Sequence, residues 1–285
     1  MNDKFESYFS TVFKDRWPVL REALLQEEKQ VAYASYENNP QEVLSNPNLF
    51  LAGSEDRQKR TEEGFLKSYI LDPASLLPVL ALDLKDGQSV LDLCSAPGGK
   101  SLAILGQITP SGNLTANDSS KDRLQRLKKV LREYSPEKFR ERFFVTLSDG
   151  RTFFKTKKQF DRVLVDAPCS SERHLLKNEK LLMQWTPKQA ESLSIKQYTL
   201  LCTALLCTYA DGFVVYSTCS INPVENDNVI GKVLKKKSDQ CRLYLPDLGL
   251  LQDNLKIEKT EFGYWVLPDQ KEFGPIYLSR LQKLT

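Results

Sequence analysis

Short apolar runs alternate with amphipathic segments from residue 72 to residue 237, and this alternation restricts the possible folds more than any other feature of the sequence. The apolar runs predict β-strands at 89–94, 113–116, 142–147, 162–165 and 213–217. The segments between them space apolar residues three to four apart, which predicts helices at 72–81, 100–107, 121–134, 188–209 and 225–237. Because strands that alternate with helices form parallel sheets with helices on both faces, we predict an α/β fold.

The two ends of the chain depart from this alternation. Residues 1 to about 35 carry large apolar side chains at helical spacing and are predicted to be helical. Residues 36–64 are polar and contain two Asn-Pro pairs, which predicts a loop-rich connector. Runs at 263–267 and 276–279 predict a closing antiparallel hairpin at the edge of the sheet. We therefore expect a helical N-terminal extension and connector at 1–70 and the α/β domain at 71–285.

Composition narrows the classes of protein that remain. The chain of 285 residues is 41% hydrophobic and 27% charged, as expected of a globular protein with its own core. No apolar run reaches membrane-spanning length, and the acidic first residues do not fit a secretory signal or a transit peptide. The six cysteines form no Cys-x-x-Cys pair and His174 is the only histidine, so we expect no structural zinc and no disulfide framework. A net charge of +3 permits RNA binding without requiring it.

Polar and glycine-rich segments follow the first three predicted strands of the sheet. Ligands of parallel sheets bind at the carboxyl ends of the strands, where these segments lie. Cys94-Ser-Ala-Pro-Gly-Gly-Lys100 lets the backbone approach a ligand at the start of a helix. Asp118 is spaced to bind ribose hydroxyls, and Ser148-Asp149-Gly150 offers an acid and an amide to an adenine edge. An ordinary turn or helix cap would explain each segment taken singly.

Two cysteines follow the fourth and fifth predicted strands. Asp166-Ala-Pro-Cys169 follows one and Ser217-Thr-Cys219 follows the other. A single cysteine at a strand end is usually a small packing residue. Two of them beside an acid, on the edge that carries the glycine loop, favour covalent catalysis. Cys202 and Cys207 fall within a predicted helix and are interpreted as core residues.

These segments carry a resemblance to a known family. Three stretches resemble the signature motifs of the Sun (Fmu/RsmB) family of RNA cytosine-C5 methyltransferases: Leu91-Asp-Leu-Cys-Ser-Ala-Pro-Gly-Gly-Lys100, Val165-Asp-Ala-Pro-Cys169 and Tyr216-Ser-Thr-Cys-Ser220. The resemblance covers roughly residues 65–285. It implies S-adenosylmethionine as the cofactor. It also implies a Rossmann-like methyltransferase sheet, mostly parallel with an antiparallel edge strand.

The resemblance also implies which residues bind the cofactor. The implied set is Ala96, Pro97, Gly98, Gly99, Lys100, Asp118, Arg123, Asp149, Gly150 and Asp166. Within it, Asp118 would hold the ribose hydroxyls with Arg123 nearby, and Asp149 and Gly150 would bind the adenine. Ser95 stands where the family more usually has alanine, and this small residue should carry no penalty.

The catalytic residues implied by the resemblance are Cys219, Cys169 and Asp166. Cys219 would attack C6 of the target cytosine, which makes C5 nucleophilic, and Cys169 would assist product release. We expect a protonated Asp166 to donate to N3 if burial raises its pKa. Cys169 is also the candidate base for the C5 proton. A target base must leave its stack to reach such a site, and the basic residues at 151–158 are expected to contact RNA.

Longer stretches narrow the resemblance within the family. Asp72-Pro-Ala-Ser-Leu-Leu-Pro-Val-Leu-Ala-Leu82, Ser171-Glu-Arg-His174 and Phe273-Gly-Pro-Ile-Tyr277 most resemble the animal mitochondrial members that act on small-subunit ribosomal RNA. That resemblance implies a location in the mitochondrial matrix and a role in ribosome assembly. It also implies a helical-repeat partner of the mTERF family. Such a partner would help to select the RNA, because this chain lacks the long RNA-binding extensions of many relatives. Three alternatives remain: a mitochondrial tRNA methyltransferase, an RNA-binding assembly factor with secondary catalysis, and a nicotinamide-dependent dehydrogenase. The absence of Gly-x-Gly-x-x-Gly counts against the dehydrogenase.

Overall fold

The computed structural model describes residues 2–108, 111–249 and 251–285, without the side chains of residues 54 and 55. The strands of this described part are β1 Val31–Tyr33, β2 Tyr69–Leu71, β3 Ser89–Asp92, β4 Asn113–Asp118, β5 Phe143–Leu147, β6 Phe160–Asp166, β7 Thr208–Thr218, β8 Cys241–Leu243, β9 Glu258–Lys259, β10 Tyr264–Val266 and β11 Ile276–Lys283. The α-helices are α1 Asp3–Phe13, α2 Trp17–Leu25, α3 Pro40–Ser45, α4 Leu77–Ala81, α5 Gly99–Ile108, α6 Lys121–Glu133, α7 Glu172–Leu176, α8 Glu179–Gln184, α9 Pro187–Leu206, α10 Asp227–Lys236, α11 Leu251–Asn254 and α12 Pro268–Lys271.

One mixed sheet organises the molecule, with the strand order β5-β4-β3-β6-β7-β11-β10-β9 and β8 paired to β11. Strands β5, β4, β3, β6 and β7 run parallel, while β11 pairs antiparallel with both β7 and β10. All five strands predicted from the central alternation are present, and the closing hairpin is confirmed. Because neighbouring parallel strands end at the same edge, the segments after β3, β4, β5, β6 and β7 meet there.

Helices cover both faces of the sheet, as predicted. On one face, buried aliphatic side chains of α4, α5 and α6 pack on the strands. On the other face, α9 and α10 contribute the corresponding side chains. Asp72 caps the turn that leads into α4, since its Oδ1 accepts a hydrogen bond from the Ala74 amide at 2.7 Å. The α/β fold with a mostly parallel sheet is therefore confirmed.

The N-terminal segment forms a separate aromatic cluster on the α/β domain. Phe5, Phe9 and Trp17 are buried against Trp185, with ring centroids 5.0 Å apart between Phe5 and Trp185. Burying each such ring contributes about 1.5–3 kcal/mol, which holds α1 and α2 in place without a disulfide. The division of the chain near residue 70 stays a prediction.

Two expectations for the N-terminal region need correction. Helix α2 ends at Leu25, although we predicted helix to about residue 35. The polar run at 26–30 has no apolar side chain to bury, and Val31–Tyr33 then pairs antiparallel with Tyr69–Leu71. The connector at 36–64 also contains the short helix α3, which begins after Asn39 because the Asn39 side chain caps it.

Candidate active site

The loop between β3 and α5 is shaped by two glycines that leave no room for side chains. Gly98 has a φ of +120°, and a Cβ there would lie 3.1 Å from Leu127. A Cβ on Gly99 would lie 2.8 Å from the ring of Tyr69. The loop therefore presents bare backbone at the start of α5, as its sequence predicted.

The predicted ribose-binding residues lie against this loop. Asp118 is buried, and its Oδ2 accepts a hydrogen bond from the Ala96 amide at 3.3 Å. Its Oδ1 accepts a second one from the Ser120 amide at 2.9 Å. Arg123 donates to the Ala96 carbonyl at 2.5 Å and lies 3.4 Å from the Asp118 carboxylate. The loop after β4 is thus tied to the loop after β3 through one carboxylate.

Asp149 and Gly150 lie at the far side of the same cleft. Asp149 forms an ion pair with Arg151 at 2.6 Å, and the hydrogen bond from Arg151 lowers the pKa of Asp149. Gly150 is buried where a Cβ would lie 2.8 Å from Leu200. A cavity of about 600 Å³ extends from Asp118 to these two residues, with Leu93, Leu147 and Leu200 among its apolar walls. A flat apolar ring and a ribose fit this combination of apolar walls and one buried acid.

The two predicted catalytic cysteines come together although 50 residues separate them. Their Sγ atoms lie 3.1 Å apart, with Cys219 exposed and Cys169 partly buried. The hydrogen bond from Cys169 lowers the pKa of the Cys219 thiol, while the same contact and burial raise the pKa of Cys169 well above its ordinary value. Cys219 is therefore the better nucleophile of the pair, and Cys169 holds its proton.

Asp166 lies beside the cysteines at the end of β6. One of its oxygens accepts a hydrogen bond from the Lys100 ammonium at 2.8 Å, and the other accepts one from the Ser217 hydroxyl at 2.8 Å. Burial lowers the pKa of Lys100, but the Asp166 charge outweighs burial and leaves that pKa raised. Both Asp166 oxygens are therefore hydrogen-bonded, one of them in an ion pair with Lys100, and the proton donation by Asp166 that the sequence suggested stays a prediction.

A second cavity, of about 360 Å³, opens in front of the two thiols. Its wall includes Cys169, Cys219, Lys100 and Asp166, which the sequence grouped, and also Glu28 and Arg173, which it did not. The Arg173 guanidinium is buried, and its Nη2 donates to the Gly274 carbonyl at 2.6 Å. The stretch Ser171-Glu-Arg-His174 contains Arg173 but did not suggest a place in the site, because only the packing of the N-terminal segment brings Glu28 within 3.3 Å of Arg173.

Among the described residues, no group of three or more His, Cys, Asp or Glu side chains is arranged to hold a metal ion. In the same part of the chain, no helix combines the length and apolar character needed to cross a membrane.

The parallel sheet, the glycine loop after β3 and the buried acid after β4 define an α/β enzyme that binds a nucleoside cofactor at its strand ends. Two cysteines at the ends of β6 and β7 narrow the class further. The chain belongs to the 16S rRNA methyltransferase RsmB/F family, whose model matches residues 79–282. The family expected from the sequence motifs is thereby confirmed.

Individual relatives agree with this assignment. The mouse (Mus musculus) 5-cytosine rRNA methyltransferase NSUN4 is 34% identical over 98% of this chain and 87% of its own length. A mitochondrial tRNA (cytosine(34)-C(5))-methyltransferase of Danio rerio is 40% identical over 78% of this chain and 62% of its own length. The crystal structure of NSun6 from Pyrococcus horikoshii with SFG superposes with a TM-score of 0.75 over 99% of this chain and 98% of that one. At 15% identity, that structure supports the fold alone.

The residues around the glycine loop fit S-adenosylmethionine. Asp92, which the sequence analysis did not single out, is fully buried at the end of β3, and burial raises its pKa to about 7. Its Oδ2 accepts a hydrogen bond from Ser101 at 2.6 Å, whereas its Oδ1 has no protein partner. Asp92 lines a cavity of about 190 Å³ with the glycine loop, so the methionine ammonium group could supply the missing donor. The sequence feature that could have revealed Asp92 is its position as an acidic residue at the end of a predicted strand.

Proposed function

We propose that this protein methylates C5 of a cytosine in RNA through a covalent bond between the Cys219 Sγ and C6 of that base. The observation that carries the proposal is the pair of thiols 3.1 Å apart on the wall of one cavity, beside Lys100 and Asp166. When bound, S-adenosylmethionine supplies the electrophilic methyl group. The 600 Å³ cleft would hold its nucleoside between Asp118 and Gly150.

The two cysteines divide the chemistry between them. The Cys219 thiolate gives an electron pair to C6, and the electrons of the C5–C6 double bond make C5 nucleophilic while part of the negative charge is delocalised onto N3. After C5 is methylated, Cys169, which has by then given its own proton to water, removes the C5 proton. The electrons of that C–H bond restore the double bond, and Cys219 leaves as a thiolate.

The hydrogen bond between the thiols suits this sequence of events. In the free enzyme the bond to Cys219 is the main cause that raises the pKa of Cys169. Once the Cys219 sulfur is bonded to C6 of the base, it no longer carries a negative charge. The hydrogen bond to Cys219 then no longer raises the pKa of Cys169. Cys169 can then release its proton and serve as the base.

Asp166 and Lys100 would face the ring edge of the target cytosine. The Asp166 carboxylate can accept a hydrogen bond from the exocyclic amino group. The Lys100 ammonium, 2.8 Å from that carboxylate, places positive charge where negative charge develops at N3.

We propose small-subunit ribosomal RNA of the mitochondrion as the substrate, with a role in ribosome assembly. The proposal is supported by the mouse rRNA methyltransferase relative, which aligns over 98% of this chain. Mitochondrial tRNA is the second candidate, favoured by the Danio rerio relative at 40% identity. Arg151 lines the cofactor cleft, and it would contact the RNA backbone together with the exposed Lys155, Lys157 and Lys158 that follow it.

Location in the matrix and a helical-repeat partner of the mTERF family also stay part of the proposal. Their support is the sequence resemblance described above and, for the partner, the small net charge of +3. A weakly basic enzyme gains little affinity from phosphate contacts alone, so a partner would supply part of the RNA binding.

Trapping the covalent adduct tests the proposed chemistry. The native protein, Cys169→Ala, Cys219→Ala and a control variant Cys202→Ala would each be incubated with S-adenosylmethionine and RNA. Transcripts of mitochondrial small-subunit rRNA and of mitochondrial tRNAs would be compared, and adducts would be resolved on a denaturing gel. We expect Cys169→Ala to accumulate an RNA adduct, Cys219→Ala to form none, and Cys202→Ala to methylate as the native protein does.

Each deviation from this pattern has a defined meaning. An adduct only with Cys219→Ala would exchange the roles of the cysteines. Native methylation of RNA with no adduct in either variant would refute the two-cysteine mechanism. Methylation of tRNA but not of rRNA would replace the proposed substrate with the second candidate.

A further inference from the structure

Two buried carboxyl groups lie beneath the loops that carry the catalytic cysteines. Glu172 begins α7 after the Cys169 loop, and Glu225 ends the turn after the Cys219 loop. Both side chains belong to residues with 0% exposure. Neither residue has a role in the chemistry proposed above, and burying two acids side by side is costly unless they serve the fold or the site.

The two carboxyls bind the cysteine loops crosswise. Glu172, on the Cys169 side, accepts a hydrogen bond from the Ile221 amide of the Cys219 loop at 2.9 Å. Glu225, on the Cys219 side, accepts one from the Ser170 amide of the Cys169 loop at 3.0 Å. Each cysteine loop therefore donates a backbone hydrogen bond to a carboxyl group that follows the other cysteine. A shift of either loop would break one of these hydrogen bonds.

Two hydroxyl groups complete the cluster, and each belongs to the residue directly after a cysteine. The Ser170 hydroxyl contacts both Glu172 and Glu225. The Ser220 hydroxyl lies 3.1 Å from Glu172, 3.3 Å from Glu225 and 3.2 Å from the Ser170 hydroxyl. We call Ser170, Glu172, Ser220 and Glu225 the carboxyl clamp.

The Ser170 and Ser220 hydroxyls contact each other and both carboxyl groups, but the two hydroxyls have only two protons to donate. If both acids were ionised, two negative charges would face each other across two O–H donors, and the one further side-chain donor among the described contacts, the Gln197 amide at 2.8 Å, reaches Glu225 alone. Within the part of the chain that the structure describes, no lysine or arginine forms an ion pair with either acid. Two buried carboxyl groups that contact the same two hydroxyl groups take up one proton between them, because this removes the repulsion between two negative charges. Burial agrees, since it raises the pKa of Glu172 to about 7 and also raises that of Glu225.

We propose that Glu172 and Glu225 share one proton and act as positioning residues that fix the spacing of the Cys169 and Cys219 thiols. The functional value of this spacing rests on the two-cysteine chemistry proposed above. The spacing itself does not, because it can be measured without RNA. A glutamine at one position mimics the protonated acid in shape and in hydrogen bonding, whereas alanine removes the crosswise bond.

The experiment measures the sulfur spacing and the methyl transfer separately. Diamide oxidises two adjacent thiols to a disulfide: each thiol loses one proton and one electron, and diamide is reduced to the hydrazine. The rate of Cys169–Cys219 closure, followed by mass spectrometry of peptides, reports on the distance between the sulfurs. The kcat of methyl transfer and the KM for RNA would be measured on the same proteins under multiple-turnover conditions.

The variants are Glu172→Gln, Glu225→Gln, the double glutamine, Glu172→Ala, Glu225→Ala and Ser220→Ala. Glu191→Gln on α9 is the control, an exposed carboxyl outside the clamp. We expect each single glutamine to close its disulfide and to methylate within about threefold of the native rate. The double glutamine and both alanine variants should slow closure and kcat at least tenfold with KM for RNA nearly unchanged, and Ser220→Ala should fall between.

Several outcomes would overturn the inference. Native closure rates in the alanine variants would show that the clamp does not set the sulfur spacing. Single glutamines as slow as alanines would show that no proton is shared. If thermal melting shows that the alanine variants are unfolded, Ser220→Ala and the glutamine variants still decide the question. Closure in the expected order without any RNA methylation would refute the proposed function and leave the clamp in place.

Discussion

Replacing Gly98 by alanine tests how tightly the cofactor loop is packed against α6. The φ of +120° at Gly98 disfavours any L-residue, which costs about 1–3 kcal/mol. The new Cβ would also lie 3.1 Å from Leu127 and 3.2 Å from Val130, and such overpacking costs a further ~1–3 kcal/mol. We therefore expect Gly98→Ala to lower the free energy of unfolding by about 2–6 kcal/mol.

Gly64 provides a matched control for the backbone contribution. Its φ is +87°, and nothing lies within 4 Å of a Cβ built there, so Gly64→Ala should lose only the backbone part, about 1–3 kcal/mol. Urea unfolding of the native protein and the two variants gives both values, and calorimetric titration gives the affinity for S-adenosylmethionine. Gly98→Ala should also weaken this affinity, while Gly64→Ala should not. Equal losses of stability, with unchanged cofactor binding, would show that the loop relaxes and that its contact with α6 is unimportant.

Two further predictions concern buried acids. Asp118→Asn should weaken S-adenosylmethionine binding by about 10- to 100-fold in calorimetric titration. The two carboxylate oxygens of Asp118 accept hydrogen bonds from two backbone amides and would also bind the ribose, whereas an asparagine side chain has only one acceptor oxygen. A loss of affinity below about threefold would contradict the ribose assignment. Asp92 has a folded-state pKa of about 7 against an ordinary value of 3.8, so its contribution to stability is complete below pH 4 and is lost as pH rises through 7. Asp92→Asn should therefore gain about 3 kcal/mol relative to the native protein between pH 5 and pH 8 in urea unfolding, and a pH-independent difference would refute the raised pKa.

Local sequence patterns were sufficient for the central sheet. Buried parallel strands need continuous apolar runs and their covering helices need three-to-four spacing, so both can be recognised without knowing their neighbours. The same patterns failed at residues 26–35, where β1 forms only because it pairs with β2 some 38 residues later (Val31 with Leu71 is 40 apart, Tyr33 with Tyr69 is 36 apart). The short helices α7 and α8 also escaped prediction, since they are stabilised by burial of Leu176 and Leu182 against the N-terminal aromatic cluster.

The sequence by itself determined the family, the cofactor loop and the two cysteines, because each of these is written in a short motif at a strand end. Only the tertiary structure brings the two thiols to 3.1 Å from each other across 50 residues, a contact that lowers the pKa of Cys219 and raises that of Cys169. It alone revealed the ion pair between Lys100 and Asp166 and the crosswise bonds of Glu172 and Glu225. Ionisation and loop spacing depend on burial and on distances between remote segments, and a linear sequence contains neither quantity.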